Sequence, residues 1–257
     1  MNAELLIPSA ALKPYIRNYL VIESPEGLAN RVLPDTSLVM AFRFKGAISY
    51  TADGKESDLP LSVISGLRNT ARVINYTQNS GAVLVIFKAA ATPAFFKISA
   101  HELFNDSIPL DTLFNRQKLV QTEERLAAAV NNEQRIAAIE ELLLAQLTNL
   151  TPDQLILSAV QKISLNQGCT RIRDLASSLY ISQDAFEKRF RKATGASPKQ
   201  YSSIIRMRSL LGNGKQTLNL NELAFTAGYF DQPHFNKDFR LFTGLTPTDF
   251  YKAPVFW

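Results

Sequence analysis

The chain is short of the residues that build metal centres and disulfide frameworks. Its 257 residues include one cysteine, Cys169, and two histidines, His101 and His234. A lone cysteine cannot close an internal disulfide, which points to a reducing compartment, the cytoplasm. A metal-holding barrel of the cupin kind needs several His and a Glu in close spacing. Two histidines in separate halves of the chain speak against a catalytic metal, and no cofactor is expected. No apolar run reaches the roughly 18 residues of a membrane-spanning helix. The start, MNAELLIPSAALKPYIRNYL, lacks a basic stretch followed by an apolar one, so it does not read as a signal peptide. No phosphate-cradling glycine loop or Ser-His-Asp constellation stands out, which argues against the common enzyme classes.

What is present is enough apolar material, 46% of residues, for one large core or two ordinary ones. Charge is unevenly spread. Residues 151–257 carry 14 Lys+Arg against 8 Asp+Glu, a net of +6, whereas residues 1–150 carry 14 against 15, a net of −1. A basic half beside a near-neutral half suits a polyanion-binding module fused to something else. On charge alone, a basic solvated face fits equally well.

The first half reads as β structure. Ser37–Phe44, Ala47–Thr51, Leu61–Ile64, Ala71–Tyr76 and Ala82–Lys88 are short and rich in β-branched or aromatic residues. Turn-prone clusters at Pro34-Asp35, 52–55 and 78–81 separate them. That spacing predicts a small barrel or sandwich. A helical stretch with Phe95 and Phe96 follows Thr92-Pro93. Residues Gln121–Thr148 then show an apolar stripe at helical spacing, with Asn131-Asn132 as a candidate break. The stripe suits packing on its own domain, or a dimer face. Thr151-Pro152 reads as an N-cap with proline at the first helical position, opening a helix to about Asn166 and marking the domain boundary. The expected domains are therefore 1–150 and 151–257.

An internal repeat organises the second half. Ile172-x-x-Leu175-Ala176, then Ser182-x-x-x-Phe186-x-x-x-Phe190, then Gly195-Ala196-Ser197-Pro198-x-x-Tyr201, returns as a second copy. That copy is Leu220-x-x-Leu223-Ala224, Asp231-x-x-x-Phe235-x-x-x-Phe239, and Gly244-Leu245-Thr246-Pro247-x-x-Phe250. Ser182 and Asp231 are side-chain N-caps. Each Phe pair is four residues apart and pins one helix face to a core. Gly195 and Gly244 end those helices, and Ser197-Pro198 and Thr246-Pro247 start the next. Gly228 suits a left-handed helix end before the second turn; Tyr180 stands near the first, which predicts a differently built turn. A short helix, a tight turn and a second helix held by its inner face make a helix-turn-helix, whose second helix can enter the major groove. A repeat of helical hairpins serving only as scaffold is the plainer reading of the same pattern.

Residues from about 155 to 252, above all LNELAFTAGYFDQPHFNKDFRLFTGLTPTDFYK, resemble the DNA-binding domain of the AraC/XylS family of bacterial transcription regulators. Val32-Leu33-Pro34-Asp35, Ser65-Gly66, the apolar strand ending at Phe87 and Ile108-Pro109-Leu110 resemble a sensor-like β domain fused to some members. The resemblance implies an α+β fold: an N-terminal cupin-like barrel with flanking helices, and an all-α C-terminal domain with two helix-turn-helix units reading adjacent major-groove segments. It implies double-stranded DNA as partner and admits a small-molecule effector, RNA polymerase and a second copy of the chain.

On the first recognition helix the outward residues are Gln183, Asp184, Glu187, Lys188 and Arg191; on the second, Gln232, Pro233, His234, Asn236, Lys237 and Arg240. Asp184, Glu187 and Lys188, and Gln232, His234 and Lys237, resemble the family's base-reading positions in placement. Gln can pair with adenine and Lys with guanine; Arg191 and Arg240, a turn further on, suit phosphate. Asp184 and Glu187 repel phosphate, so the first helix either reads cytosine or contributes little. Gly212-Asn213-Gly214 predicts a shortened or frayed end to the helix joining the units. Two readings compete at the edges. Cys169 could be a reactive thiol like that of DNA-repair proteins sharing this module, although Thr170 beside it is a candidate N-cap and no Pro-Cys context surrounds it. Phe42, Phe44, Tyr50, Tyr76 and Phe87 could line an effector pocket, or simply fill the core of a ligand-free interaction domain.

Overall fold

The computed structural model describes residues 1–52, 54–148, 150–213, 224–225, 228–229 and 231–252. Among the described residues, ten strands form two antiparallel sheets. In chain order they are β1 (Asn2–Leu6), β2 (Ile16–Ser24), β3 (Leu28–Val32), β4 (Val39–Lys45), β5 (Ile48–Ala52), β6 (Lys55–Asp58), β7 (Ser62–Ser65), β8 (Arg72–Tyr76), β9 (Ser80–Phe87) and β10 (Ser107–Pro109). The larger sheet runs β1-β2-β9-β4-β7-β10 and the smaller β3-β8-β5-β6. β1, β2, β3, β6 and β10 lie outside the runs that sequence pattern picks out. β1 is an edge strand, exposed along almost its whole length, so no buried face imprints an alternation on it.

Strand register sorts the apolar residues into two layers. Along β4, Met40, Phe42 and Phe44 are buried and alternate with Val39, Ala41 and Arg43. The first set joins Val83, Val85 and Phe87 of β9 in the main core, against helices α1 (Arg116–Ala128) and α2 (Asn132–Leu144) and the turns around Phe95, Phe96 and Phe114. The second set faces the smaller sheet across a separate layer containing Ile22, Ile48, Ile74, Tyr76 and Ala82. Phe42, Phe44 and Phe87 are thus core residues on the helix side, so for these three the core reading holds and the pocket-lining one falls. A period of two sends neighbours to opposite faces, and composition alone does not say which face is which.

The helical stripe resolves into α1 and α2, separated where Asn131 caps α2 by accepting the Gln134 amide at 2.9 Å. Leu126, Ile136, Ile139, Leu142 and Leu143 are buried in the N-terminal domain's own core, while Val130, at the break, is exposed. The stripe is therefore an intramolecular face and the dimer reading of it falls.

The C-terminal helices are α3 (Gln154–Leu165), α4 (Ile172–Ser178), α5 (Gln183–Thr194), α6 (Pro198–Asn213), α7 (Gln232–Thr243) and α8 (Pro247–Lys252). Two expected caps move. Asp153, not Thr151, caps α3, accepting the amides of Leu155 and Ile156; its carboxylate also holds the Arg189 side chain. Arg171, not Thr170, precedes α4 and makes no side-chain cap. α6 runs through Gly212 to Asn213, so Gly212 does not cut it short; Gly214 lies outside the described residues.

The two domains share one continuous core, into which Ile156, Ile163, Phe186 and Phe190 extend. A second contact joins the loop after β3 to the far half of the helical domain. Leu33 packs on the cluster around Phe235 and Phe239. Arg208 of α6 donates to the Pro34 carbonyl at 2.8 Å, and Arg31 to the Thr243 carbonyl at 3.5 Å.

Candidate nucleic-acid interface

The two halves of the helical domain are built by the same contacts. Ser182 accepts from the Ala185 amide and Asp231 from the His234 amide, each opening a recognition helix, α5 and α7. Phe186 meets Phe190 edge-on with centroids 5.5 Å apart, as Phe235 meets Phe239. Phe190 then meets Tyr201 at 5.3 Å, and Phe239 meets Phe250 at 5.4 Å. Phe186, Phe190, Phe235 and Phe239 are fully buried, so each anchors its helix by about 1.5–3 kcal/mol of apolar burial. Gly195 and Gly244 close the helices at φ +92° and +77°.

Two further matches escape the sequence pattern. Thr194 and Thr243 are buried hydroxyls that donate to the carbonyls of Phe190 (2.9 Å) and Phe239 (2.8 Å) and accept from the amides of Ala196 and Leu245. They tie each recognition helix to the helix that follows. A threonine before a glycine is too common to single out without the contact.

The turns also match, against expectation. Gly228, at φ +72°, bonds to the Phe225 carbonyl, and Tyr229 to that of Ala224. Tyr180, at φ +56°, bonds to the Ser177 carbonyl, and Ile181 to that of Ala176. The first turn is the same left-handed turn with a tyrosine in the glycine position, its side chain wholly exposed. The paired start of the second unit, Leu220 and Leu223, lies outside the described residues.

Holding the Phe faces inward leaves the opposite faces open. On α5, Gln183, Asp184, Lys188 and Arg191 are exposed. Glu187 is half-buried and accepts a hydrogen bond from Gln183 at 2.9 Å. Asp184 stands in the first turn, where a carboxylate favours the helix dipole; that gives it a structural reason independent of any base. On α7, Gln232, Pro233, His234, Lys237 and Arg240 are exposed. Asn236 is half-buried, with its Oδ1 buried and unpartnered. It lines an open recess of about 630 Å³ with Lys237, Arg240 and Leu241 of α7 and the start of α8.

His234 stands near two polar groups. Its Nε2 lies 3.7 Å from Asp238 Oδ2, and that oxygen accepts a hydrogen bond from the Tyr229 hydroxyl at 3.1 Å. The Tyr229 ring sits edge-on to His234 and under the Arg206 guanidinium at 4.5 Å. Burial pushes the Tyr229 phenol up to about 12, so it remains a donor at neutral pH. This relay fixes the first two turns of α7 onto α6. Among the described residues no such cluster holds the outer face of α5, where Arg189 is committed to Asp153. Lys192 and Lys199 are exposed nearby, as are Arg171 and Arg173 at the start of α4. Lys192 stands in the last turn of α5, whereas Lys199, Arg171 and Arg173 lie beyond the recognition helices; sequence pattern singles out none of the four.

Two features bear on other chemistries. Among the described residues no group of three or more His, Cys, Asp or Glu is placed to hold a metal ion, and no helix is long and apolar enough to cross a membrane. Cys169 is exposed, with its sulfur 3.9 Å from the Gln167 carbonyl, and it packs beneath the Gly228 turn.

Residues 175–253 match the family model of a helix-turn-helix domain, over the repeat just described. The C-terminal domain is a helix-turn-helix domain of the AraC type. Residues 4–109 match a second model, a domain of unknown function (DUF6597). The chain is 33% identical over 122 residues to the Msm operon regulatory protein of Streptococcus mutans, covering 45% of this chain and 43% of that one. It thus spans under half of that relative's length. Among solved structures, ToxT of Vibrio cholerae with an unsaturated fatty acid bound is 12% identical, covers 91% of this chain and 94% of its own, and has a TM-score of 0.43. The C-terminal domain of AraT, a response regulator from Geobacillus stearothermophilus, is 21% identical over 43% of this chain and 92% of its own, with a TM-score of 0.37. In this AraC-type domain the two units share their framework but not their outer faces: α7 presents Gln, His, Lys and Arg, and α5 adds two carboxylates.

Proposed function

We propose that the chain is a sequence-specific, double-stranded-DNA-binding transcription regulator acting in the cytoplasm, and that its N-terminal domain senses a small molecule. The observation that carries the first part is the duplicated framework. Two recognition helices are locked by matching caps, Phe pairs and Thr bonds, and their open faces lie on the half of the chain with net charge +6. Gln232, His234 and Lys237 are assigned to base edges and Arg240 and Arg191 to phosphate. Asn236 supports the α7 side of the interface. α7 is the stronger reader; α5, with Asp184 and Glu187 beside Gln183 and Lys188, adds position more than sequence.

The second part rests on an apolar cavity between the two sheets, of about 160 Å³. That favours a sensor over a domain that only binds protein. Cys169, beside the Gly228 turn and with neither acid nor base in hydrogen-bond contact among the described residues, is assigned no transfer chemistry.

The deciding experiment is binding-site selection from genomic DNA with the intact chain, followed by gel retardation on the selected site. A single preferred site with two unequal half-sites is expected. Absence of retardation of any DNA at low salt overturns the reading.

A further inference from the structure

The walls of the inter-sheet cavity are aliphatic over most of their area: Val39 and Ala41 of β4, Val63 of β7, Ile74 of β8, and Ala82 and Leu84 of β9. One end is different. Arg68 and Arg72 both line it, and both are held by neutral groups alone. Arg72 donates to Ser65 Oγ and Ser107 Oγ, each at 3.2 Å, with its guanidinium 5.6 Å from the Tyr50 ring centroid. Arg68 donates to the Asn105 carbonyl and to Ser107 Oγ, each at 2.9 Å. The nearest acid influencing Arg68 is Asp106, whose carboxylate accepts the Ser107 amide. Among the described residues neither arginine forms an ion pair. Arg43, also on the cavity wall, and Arg68 each bury an Nε without a hydrogen-bond partner.

Two half-buried guanidiniums drawn to one shared serine, with no ion pair among the described residues and Asp106 acting on Arg68, leave an excess of positive charge at this end of the cavity. Burial lowers the pKa of both, and Arg72, repelled by Arg68, is brought down to about 10. A guanidinium still stays charged at neutral pH, so the imbalance is relieved by an anion from outside rather than by loss of a proton. The planar forks match a carboxylate. A cavity near 150 Å³ holds a benzene-sized body; a bulky phosphoryl group would fill the space that the aliphatic walls enclose.

We propose that this cavity binds a compact monocarboxylate, with the carboxylate on Arg68 and Arg72 and an apolar body of about six carbons between the sheets. The assignment deepens the sensor reading above and rests on it.

The test uses the full chain, with phenylacetate and hexanoate as probes and phenylacetamide and hexanamide as neutral isosteres, read by calorimetry and by thermal shift. The acids raise the melting temperature and bind more than about tenfold tighter than the amides. In Arg68→Gln and Arg72→Gln that preference collapses to parity. Arg68 itself stands on a loop, whereas Arg72 opens β8, so Arg68→Gln keeps the test open if Arg72→Gln fails to fold. Equal binding of acids and amides, no binding by any of the four probes, or an acid preference that survives in Arg68→Gln each overturns the proposal. Gel retardation by the same preparation reports separately on the DNA-binding reading.

Discussion

Arg208, on the helix that joins the two helix-turn-helix units, reaches the N-terminal domain at two points of one loop. It lies 2.8 Å from the Pro34 carbonyl and 3.4 Å from the Asp35 carboxylate. Asp35 in turn lies 3.5 Å from Arg17 of β2. The pair is partly exposed, so its Coulombic share is small. Arg208→Ala is expected to cost about 1–2 kcal/mol in urea denaturation, most of it from the lost bond to the buried carbonyl. A double-mutant cycle with Asp35→Ala should show a coupling of about 0.5–1 kcal/mol. Strict additivity of the two substitutions would show the contact to be incidental.

On α7 the two exposed cations should fail differently. Lys237→Ala is expected to relax base preference by about 1–3 kcal/mol at one position of the site. Arg240→Ala should weaken binding to all sequences alike and reduce the salt slope by about one. Titrations at several salt concentrations, on the selected site and a scrambled one, separate the two. A reversed pattern would exchange the roles assigned to them.

The matched turns make opposite predictions at one backbone conformation. Tyr180→Gly removes a side chain that touches solvent only and relieves a left-handed residue, so stability should rise by about 0.5–1 kcal/mol. Gly228→Ala should lower it by about 1 kcal/mol. Thermal unfolding of the two variants beside the parent is sufficient. A loss of stability in Tyr180→Gly would show that the ring has a contact the fold does not reveal.

Asp153 supplies a pH signature. Burial raises its carboxyl pKa, but the Arg189 side chain and the amides of Ile156 and Leu155 outweigh that and hold it below its ordinary 3.8. A depressed carboxyl pKa stabilises the fold above the unfolded-state value, and the contribution fades as pH falls through the folded one. Asp153→Asn should therefore be clearly less stable than the parent at about pH 6, with the gap closing progressively as pH falls below the ordinary carboxyl range. A difference that persists undiminished in acid would assign the effect to shape rather than charge.

The repeat made the helical domain legible because each signal is local. A cap, a glycine and a proline act within a turn of where they stand, and Phe186/Phe190 and Phe235/Phe239 declare a face by spacing alone. The β domain was legible only as a class. Which face of β4 meets helices and which meets the cavity depends on partners far along the chain, so Phe42 and Phe44 could not be told from Ala41 and Arg43 by pattern. Thr151 and Asp153 illustrate a finer ambiguity: both are good caps two residues apart, and the Arg189 side chain, 36 residues away, accompanies the cap at the second. The cavity's arginines were invisible for a related reason. Arg68 and Arg72 read as ordinary turn and strand-start cations until folding brings them to one serine, Ser107, on the distant β10.

The loop after β3 has two neighbours at once. Val32, Leu33, Pro34 and Asp35 line the inter-sheet cavity, while Leu33, Pro34 and Asp35 hold the half of the helical domain that carries α7. Thermodynamic reciprocity then applies to any molecule whose occupancy of the cavity reshapes that loop. The factor by which it alters affinity for an operator equals the factor by which the operator alters affinity for it. A guest indifferent to the loop, however tightly held, leaves that equilibrium where it was.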